Sequence, residues 1–195
     1  MDETQRLFVA IDLPDEVKTL LRSLQAQLGR HTRAVRWADP DGTHLTLKFL
    51  GAVQVAQIEA VTQGMHAAAR GHAPLTLRTE ALGGFPNGQR PRVLWLGIAG
   101  DLDALGAVKD AVEREIAPLG FPTEQRPFAP HLTLGRSHKD PRPAELAEIG
   151  RALAQTAAPA PVAFEVRELV LMRSELRPGG ARYTPVAHAA FDGGA

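Results

Sequence analysis

The chain opens on an unbroken apolar run, Leu7-Phe8-Val9-Ala10-Ile11, stopped by Asp12 and Pro14, which reads as a strand buried on both faces. Val17, Leu20, Leu21, Leu24 and Leu28 then recur at helical spacing and predict a helix that Gly29 ends. Val35-Arg36-Trp37 is short and extended, and Asp39-Pro40-Asp41-Gly42 is a turn signal. At His44-Leu45-Thr46-Leu47 the pattern alternates with period two, predicting a strand that Gly51 closes. Ile58, Val61, Met65 and Ala68 or Ala69 outline a second helix, and Leu75 to Leu82 another strand. Gly83 to Pro91 is a run of turn formers and predicts a loop leading into a strand over 92–98. Asp101 is placed to cap a helix with Leu102, Leu105, Val108, Val112 and Ile116 on one face. Beyond Pro130 the tetrapeptide returns as His131-Leu132-Thr133-Leu134. Leu146, Ile149 and Leu153 suggest a fourth helix, Phe164 to Met172 one long strand, and Arg182 to Ala189 a last strand that Pro185 assigns to an edge.

The order of elements is informative in itself. Strand, helix, His-Leu-Thr-Leu, helix and strand occur once in each half, and Arg6 and Arg92 stand at nearly equal distances before His44 and His131. Matched spacing of this kind points to an internal duplication. The expected architecture is α+β: one domain over 1–195 with two lobes, each an antiparallel sheet backed by helices, and the two tetrapeptides facing each other across a central cleft. Which strand joins which sheet is not written in the pattern.

Composition narrows the function classes. With 44% hydrophobic and 23% charged residues in a chain of 195, this is an ordinary globular protein. The 22 basic and 22 acidic residues cancel, so no global field draws it to nucleic acid, and phosphate binding has to come from local placement. The absence of cysteine excludes disulfides, thiolate metal sites and cysteine nucleophiles together. The N-terminus lacks the basic lead of a signal peptide, and no segment is apolar for long enough to span a bilayer, so the expected location is the cytoplasm, with no membrane partner.

Candidate chemistry lies in the repeated tetrapeptide. On a strand His44 and Thr46 share one face while Leu45 and Leu47 point into a core, and His131 and Thr133 stand likewise against Leu132 and Leu134. Two imidazoles and two hydroxyls fit hydrolysis of a phosphodiester, in which one group takes a proton from water and another gives one to the departing oxygen. Histidine, with an ordinary pKa of about 6.5, can serve in either state near neutrality. Thr46 and Thr133 can donate to non-bridging phosphate oxygens without titrating. A single His-x-Thr on a strand is usually structural; the second copy, with the same apolar partners in an equivalent place, favours function, although duplication also preserves a structural tetrapeptide.

Other chemistries have less behind them. Zinc would have two strong ligands, with His138 as the nearest recruit, while His31, His66, His72 and His188 read as solvent-facing. Neither a Gly-x-Ser-x-Gly elbow, nor a Walker loop, nor a Gly-x-Gly-x-x-Gly after a strand is present. Arg136 falls on the leucine side of a regular strand; a bulge at Gly135 would re-aim it at the cleft as a phosphate ligand, and otherwise it is a surface arginine. Of the aromatics near the motifs, Trp37, Phe85, Phe128 and Tyr183, one could stack on a base, though core packing is the simpler role for each.

On these residues the chain resembles the two-histidine (2H) phosphoesterases, specifically the RNA 2′,3′-cyclic phosphodiesterases once called 2′-5′ RNA ligases. The paired tetrapeptides carry the resemblance, supported by Arg6 to Pro14, Phe49-Leu50-Gly51, Arg92 to Gly97, Arg126-Pro127-Phe128 and Arg182 to Pro185. It implies a two-lobed fold and hydrolysis of 2′,3′-cyclic phosphate ends to 2′-phosphomonoesters without metal or other cofactor. It further implies that His44 is the proton donor and His131 the proton acceptor, with Thr46 and Thr133 on the phosphate. The implied partners are RNA 3′ ends or nucleoside 2′,3′-cyclic phosphates, and the working unit a monomer. Ala129 stands where many relatives carry a further histidine. Two rival functions remain: joining of RNA ends by the reverse reaction, and a non-catalytic module that holds a nucleotide phosphate.

Overall fold

A computed structural model describes residues 3–177 and 180–193. Its elements run β1 (Thr4–Ile11), α1 (Asp15–Gly29), β2 (Val35–Trp37), β3 (Leu45–Gln54), α2 (Ile58–Ala69), β4 (Leu75–Phe85), β5 (Val93–Gly100), α3 (Leu102–Ile116), β6 (His131–Ser137), α4 (Pro143–Gln155), β7 (Ala163–Val166), β8 (Glu168–Arg177) and β9 (Gly180–Ala190). They form two antiparallel sheets, one in the order β3-β1-β8-β9 and the other β2-β6-β5-β4-β7.

The continuous apolar run of β1 is explained by its central place. Leu7, Val9 and Ile11 enter the main core, while Phe8 and Ala10 join Val170 and Met172 of β8 in a small cluster on the opposite face. Helices α2 and α3 lie on the core side of this first sheet, and α1 and α4 pack on the second, against β6 and β4. Each sheet therefore has one face under helices and one face free of them. The α1 residues Val17, Leu21, Leu24 and Leu28 are all buried, as their spacing predicts.

Four expectations are corrected. Strand β3 passes through Gly51, which takes φ +73°, and ends at Gln54. Gly83 and Gly84 belong to β4 and not to a loop: the Trp95 ring lies across Gly83, where any side chain would collide with it, so glycine here makes room in a strand. Asp101 stands at the N-cap of α3, where its carbonyl accepts from the Leu105 amide at 2.9 Å, but its side chain does not cap the helix: Oδ2 accepts instead from the Thr76 amide at 2.8 Å. The long strand expected over 164–172 is two strands, because the chain leaves β4 at Val166 and enters the first sheet at Glu168, pairing with β9 from there and with β1 over Val170–Arg173, so that it changes sheets at Arg167. Pro185 does lie in an edge strand, β9, at a shift in its register with β8. Among the described residues no helix is long and apolar enough to cross a membrane.

Both motif strands share a defect. Val9 faces Lys48 but Ala10 faces Thr46, so Leu47 is an extra residue in β3; Leu94 faces Gly135 but Trp95 faces Thr133, so Leu134 is an extra residue in β6. Each is a bulge at the fourth position of the tetrapeptide.

Candidate active site

His44 stands just before β3, half-buried, and its Nδ1 lies 2.9 Å from the Gly42 carbonyl oxygen. A carbonyl only accepts, so Nδ1 carries the hydrogen and Nε2 is the nitrogen left for chemistry. The ring stacks on Phe8 with centroids 4.3 Å apart and meets Tyr183 edge-on at 4.9 Å. Gly42 allows this closeness, since a Cβ there would come within 2.9 Å of Tyr183 Cδ2. Burial holds the pKa of His44 below its ordinary value, opposed by the hydrogen bond to Gly42 and by the negative charge of Asp12.

His131 opens β6 in the same manner. Its Nδ1 donates to the Ala129 carbonyl oxygen at 2.7 Å, again two residues upstream, and an aromatic ring again meets it edge-on, here Phe85 at 5.1 Å, with Trp95 at 6.3 Å. Two histidines distant in sequence thus present the same tautomer with the same nitrogen free. Phe85 and Tyr183, candidates for base stacking, are braces for the imidazoles. Trp37 lies over Gly29 and Gly135 on the helix side, and Phe128 packs on the core.

Thr46 and Thr133 are half-buried and share the helix-free faces with His44 and His131. The bulge at Leu134 turns Gly135 inward, where Val35 and Trp37 leave no space for a side chain, and returns Arg136 opposite Val93. Val93, Trp95 and Gly97 alternate on one face of β5, opposite Arg136, Thr133 and His131, so these three motif residues share that face. In β3 the matching bulge returns Phe49, which is 66% exposed, beside Phe8 at 5.8 Å. Sequence reasoning treated Phe49 only as a flanking residue, because a bulge shifts the apparent alternation by one. Arg36 was missed too; it lies directly opposite Arg136 on β2.

The structure brings His44 and Thr46 together on the first sheet and His131, Thr133 and Arg136 together on the second, and it ties the two groups through the chain. After β2 in the second sheet the chain crosses directly to His44. The Leu134 carbonyl accepts from the Ala38 amide of that crossing at 2.9 Å and from Gln25 Nε2 at 3.0 Å; Gln25 Nε2 also donates to the Ala38 carbonyl at 2.7 Å. In the reverse direction, buried Lys48, two residues beyond Thr46, donates to the Pro122 carbonyl at 2.8 Å, anchoring the segment that leads to His131.

A cavity of about 150 Å³ adjoins His44, lined by Asp12, Asp41, Met172, Tyr183 and His188. His188 is exposed, as expected, and pairs with Glu168 at 3.0 Å; His31 and His66 are exposed, whereas His72 is half-buried beside Phe191. His138 Nε2 lies 3.0 Å from the Arg33 carbonyl. Among the described residues no three histidine, aspartate or glutamate side chains cluster as a metal site. A larger groove, about 560 Å³, runs between α1 and the crossing segment and includes neither motif histidine.

A family model of the 2′-5′ RNA ligase superfamily matches residues 13–178, a span that includes both tetrapeptides. The chain belongs to this superfamily. Within it, the RNA 2′,3′-cyclic phosphodiesterase of Methanothermobacter thermautotrophicus is 32% identical over 180 residues, covering 92% of this chain and 95% of that protein. The enzyme of the same description from Thermus thermophilus is 34% identical over 188 residues, covering 92% and 86%. Among solved superfamily structures, E. coli LigT complexed with 3′-AMP superposes with a TM-score of 0.76 at 30% identity, covering 97% of this chain and 99% of that one. TT0787 of Thermus thermophilus superposes at 0.74 with 31% identity, covering 96% and 98%. The fold expected from the order of elements is the fold these relatives share.

Proposed function

We propose that this chain is an RNA 2′,3′-cyclic phosphodiesterase that opens the cyclic ester of an RNA 3′ end, or of a nucleoside 2′,3′-cyclic phosphate, to the 2′-phosphomonoester. The observation that carries the reading is the matched pair of Nδ1–H contacts to Gly42 and Ala129, which leaves Nε2 of both imidazoles free to move protons. Relatives of similar length carry that activity in their names, and E. coli LigT has been crystallised with phosphate as well as with 3′-AMP.

In this reading the phosphate lies between the two motifs. His131 Nε2 takes a proton from water as its oxygen attacks phosphorus in line; the bond to O3′ breaks, and His44 Nε2 gives its proton to O3′. Thr46, Thr133 and Arg136 donate to the non-bridging oxygens, whose charge grows in the transition state. Burial favours the neutral form of His44, and an anionic phosphate beside it restores the protonated form a donor needs. Phe49, exposed on the His44 side, offers its ring to a base. The domain acts as one two-lobed unit, and a monomer contains all of these groups.

Incubation with the four nucleoside 2′,3′-cyclic phosphates, with the products resolved against authentic 2′- and 3′-monophosphates, tests the reading. The 2′-phosphate is expected. A dominant 3′-phosphate would reverse the donor and acceptor roles, and tight binding without turnover would make the protein a binding module.

A further inference from the structure

Arg36 and Arg136 are direct cross-strand partners, so their side chains leave the second sheet on the same face, the one that carries His131 and Thr133. Both are exposed, and no carboxylate among the described residues pairs with either. Like charges directly opposite on a sheet repel, and the usual remedy, an acidic neighbour, is missing here. Nor is this a by-product of a basic protein, because the 22 basic and 22 acidic residues balance. An unrelieved pair of guanidiniums on the site face is an arrangement that an anion would stabilise.

The proposed function assigns one anion, the cyclic phosphate, to Arg136 together with the two threonines. Arg36 stands one strand further out, on β2 at the edge of the sheet. The strand spacing of about 4.8 Å moves its guanidinium outward from the cyclic end by a distance comparable with the step between successive phosphates in a nucleic acid strand. Resting on that reading, we propose that Arg36 forms a second anion subsite, which takes the phosphodiester immediately 5′ of the cyclic end, so that the preferred substrate is an RNA strand and not a free cyclic mononucleotide.

The test compares adenosine 2′,3′-cyclic phosphate with the dinucleotide ApA carrying a 2′,3′-cyclic end, and with the same dinucleotide whose internal linkage is an uncharged methylphosphonate. Wild type is expected to show KM lower by roughly tenfold for the charged dinucleotide than for the other two, the order of one charge-assisted contact to phosphate. Arg36→Gln is expected to erase that difference while leaving kcat and the mononucleotide KM within about twofold, and Arg36→Lys to restore part of it. Direct binding of the dinucleotide 2′-phosphate product is expected to weaken in Arg36→Gln and to lose about one phosphate's worth of salt dependence. Equal KM for all three substrates in wild type, or an equal loss on all three in Arg36→Gln, would overturn the second subsite. The binding arm reads Arg36 even if no substrate is turned over, in which case the hydrolytic reading fails separately. Because Arg36 is exposed on an edge strand, unchanged thermal melting is expected for both variants.

Discussion

Lys48 Nζ meets Glu113 Oε2 at 2.5 Å, joining the strand of the first motif to α3 where both side chains are almost fully out of solvent. Lys109 approaches the other carboxylate oxygen at 3.9 Å, and the Glu124 amide donates to that oxygen at 3.4 Å. The partners are unequal: Glu113 keeps Lys109 if Lys48 is lost, whereas Lys48 keeps only the Pro122 carbonyl if Glu113 is lost. Breaking a buried pair from one side costs about 3–5 kcal/mol. Urea denaturation should therefore rank Glu113→Leu as more damaging than Lys48→Met. The double variant should recover part of the loss; a reversed ranking would mean that Lys109 does not compensate.

His44→Ala and His131→Ala should each lower kcat by at least about 10²-fold on a cyclic phosphate. Both histidines border the helix-free faces and neither belongs to the main core, so cooperative unfolding should persist in each variant. Near-normal turnover by either folded variant would remove the paired mechanism.

The lowered pKa of His44 has a definite sign for stability. The unfolded chain takes up a proton as pH falls through the ordinary value of 6.5, while the folded site resists until a lower pH, so the unfolded state binds more protons in that interval. Stability should fall as pH drops below 6.5, the loss ending at the lowered folded value, and His44→Gln should flatten that part of the curve. NMR titration should find His44 below its ordinary value in the free protein and shifted upward by saturating inorganic phosphate. No upward shift would leave the donor role without a proton.

Phe49→Ala should raise KM for nucleoside 2′,3′-cyclic phosphates by about tenfold, within the range of base stacking on an aromatic ring, with kcat nearly kept. Phe49→Trp should preserve activity. Since the ring is exposed, thermal stability should change little, and an unaltered KM would show that the base lies elsewhere.

The sequence made the helices legible because their buried positions, such as Val17, Leu21, Leu24 and Leu28, repeat with one period from end to end. It made His44, Thr46, His131 and Thr133 legible because alternation holds within each tetrapeptide. Alternation fails at Leu47 and Leu134, so the faces on which Phe49 and Arg136 emerge cannot be read from it, and Arg36 sits in a strand of three residues too short to show a pattern of its own. The break at Arg167 was hidden for a different reason. Phe164, Val166, Leu169 and Leu171 are all buried, so the apolar pattern continues across a change of sheet that only pairing partners reveal.

The first sheet is assembled from both ends of the chain: β1 is flanked by β3, from the same N-terminal stretch, and by β8, which begins at Glu168. During synthesis β1 and β3 leave the ribosome long before their other neighbour exists, and one edge of β1 stays unpaired in the meantime. Phe8 and Ala10 wait for Val170 and Met172, and the His44 ring waits for Tyr183. Pairing of such long sequence separation is slow and exposes an adhesive strand edge while it is pending. A nascent chain stalled before β8 should accordingly be sensitive to proteolysis and prone to association, and competence for catalysis should arise late and abruptly, with the emergence of the last two strands.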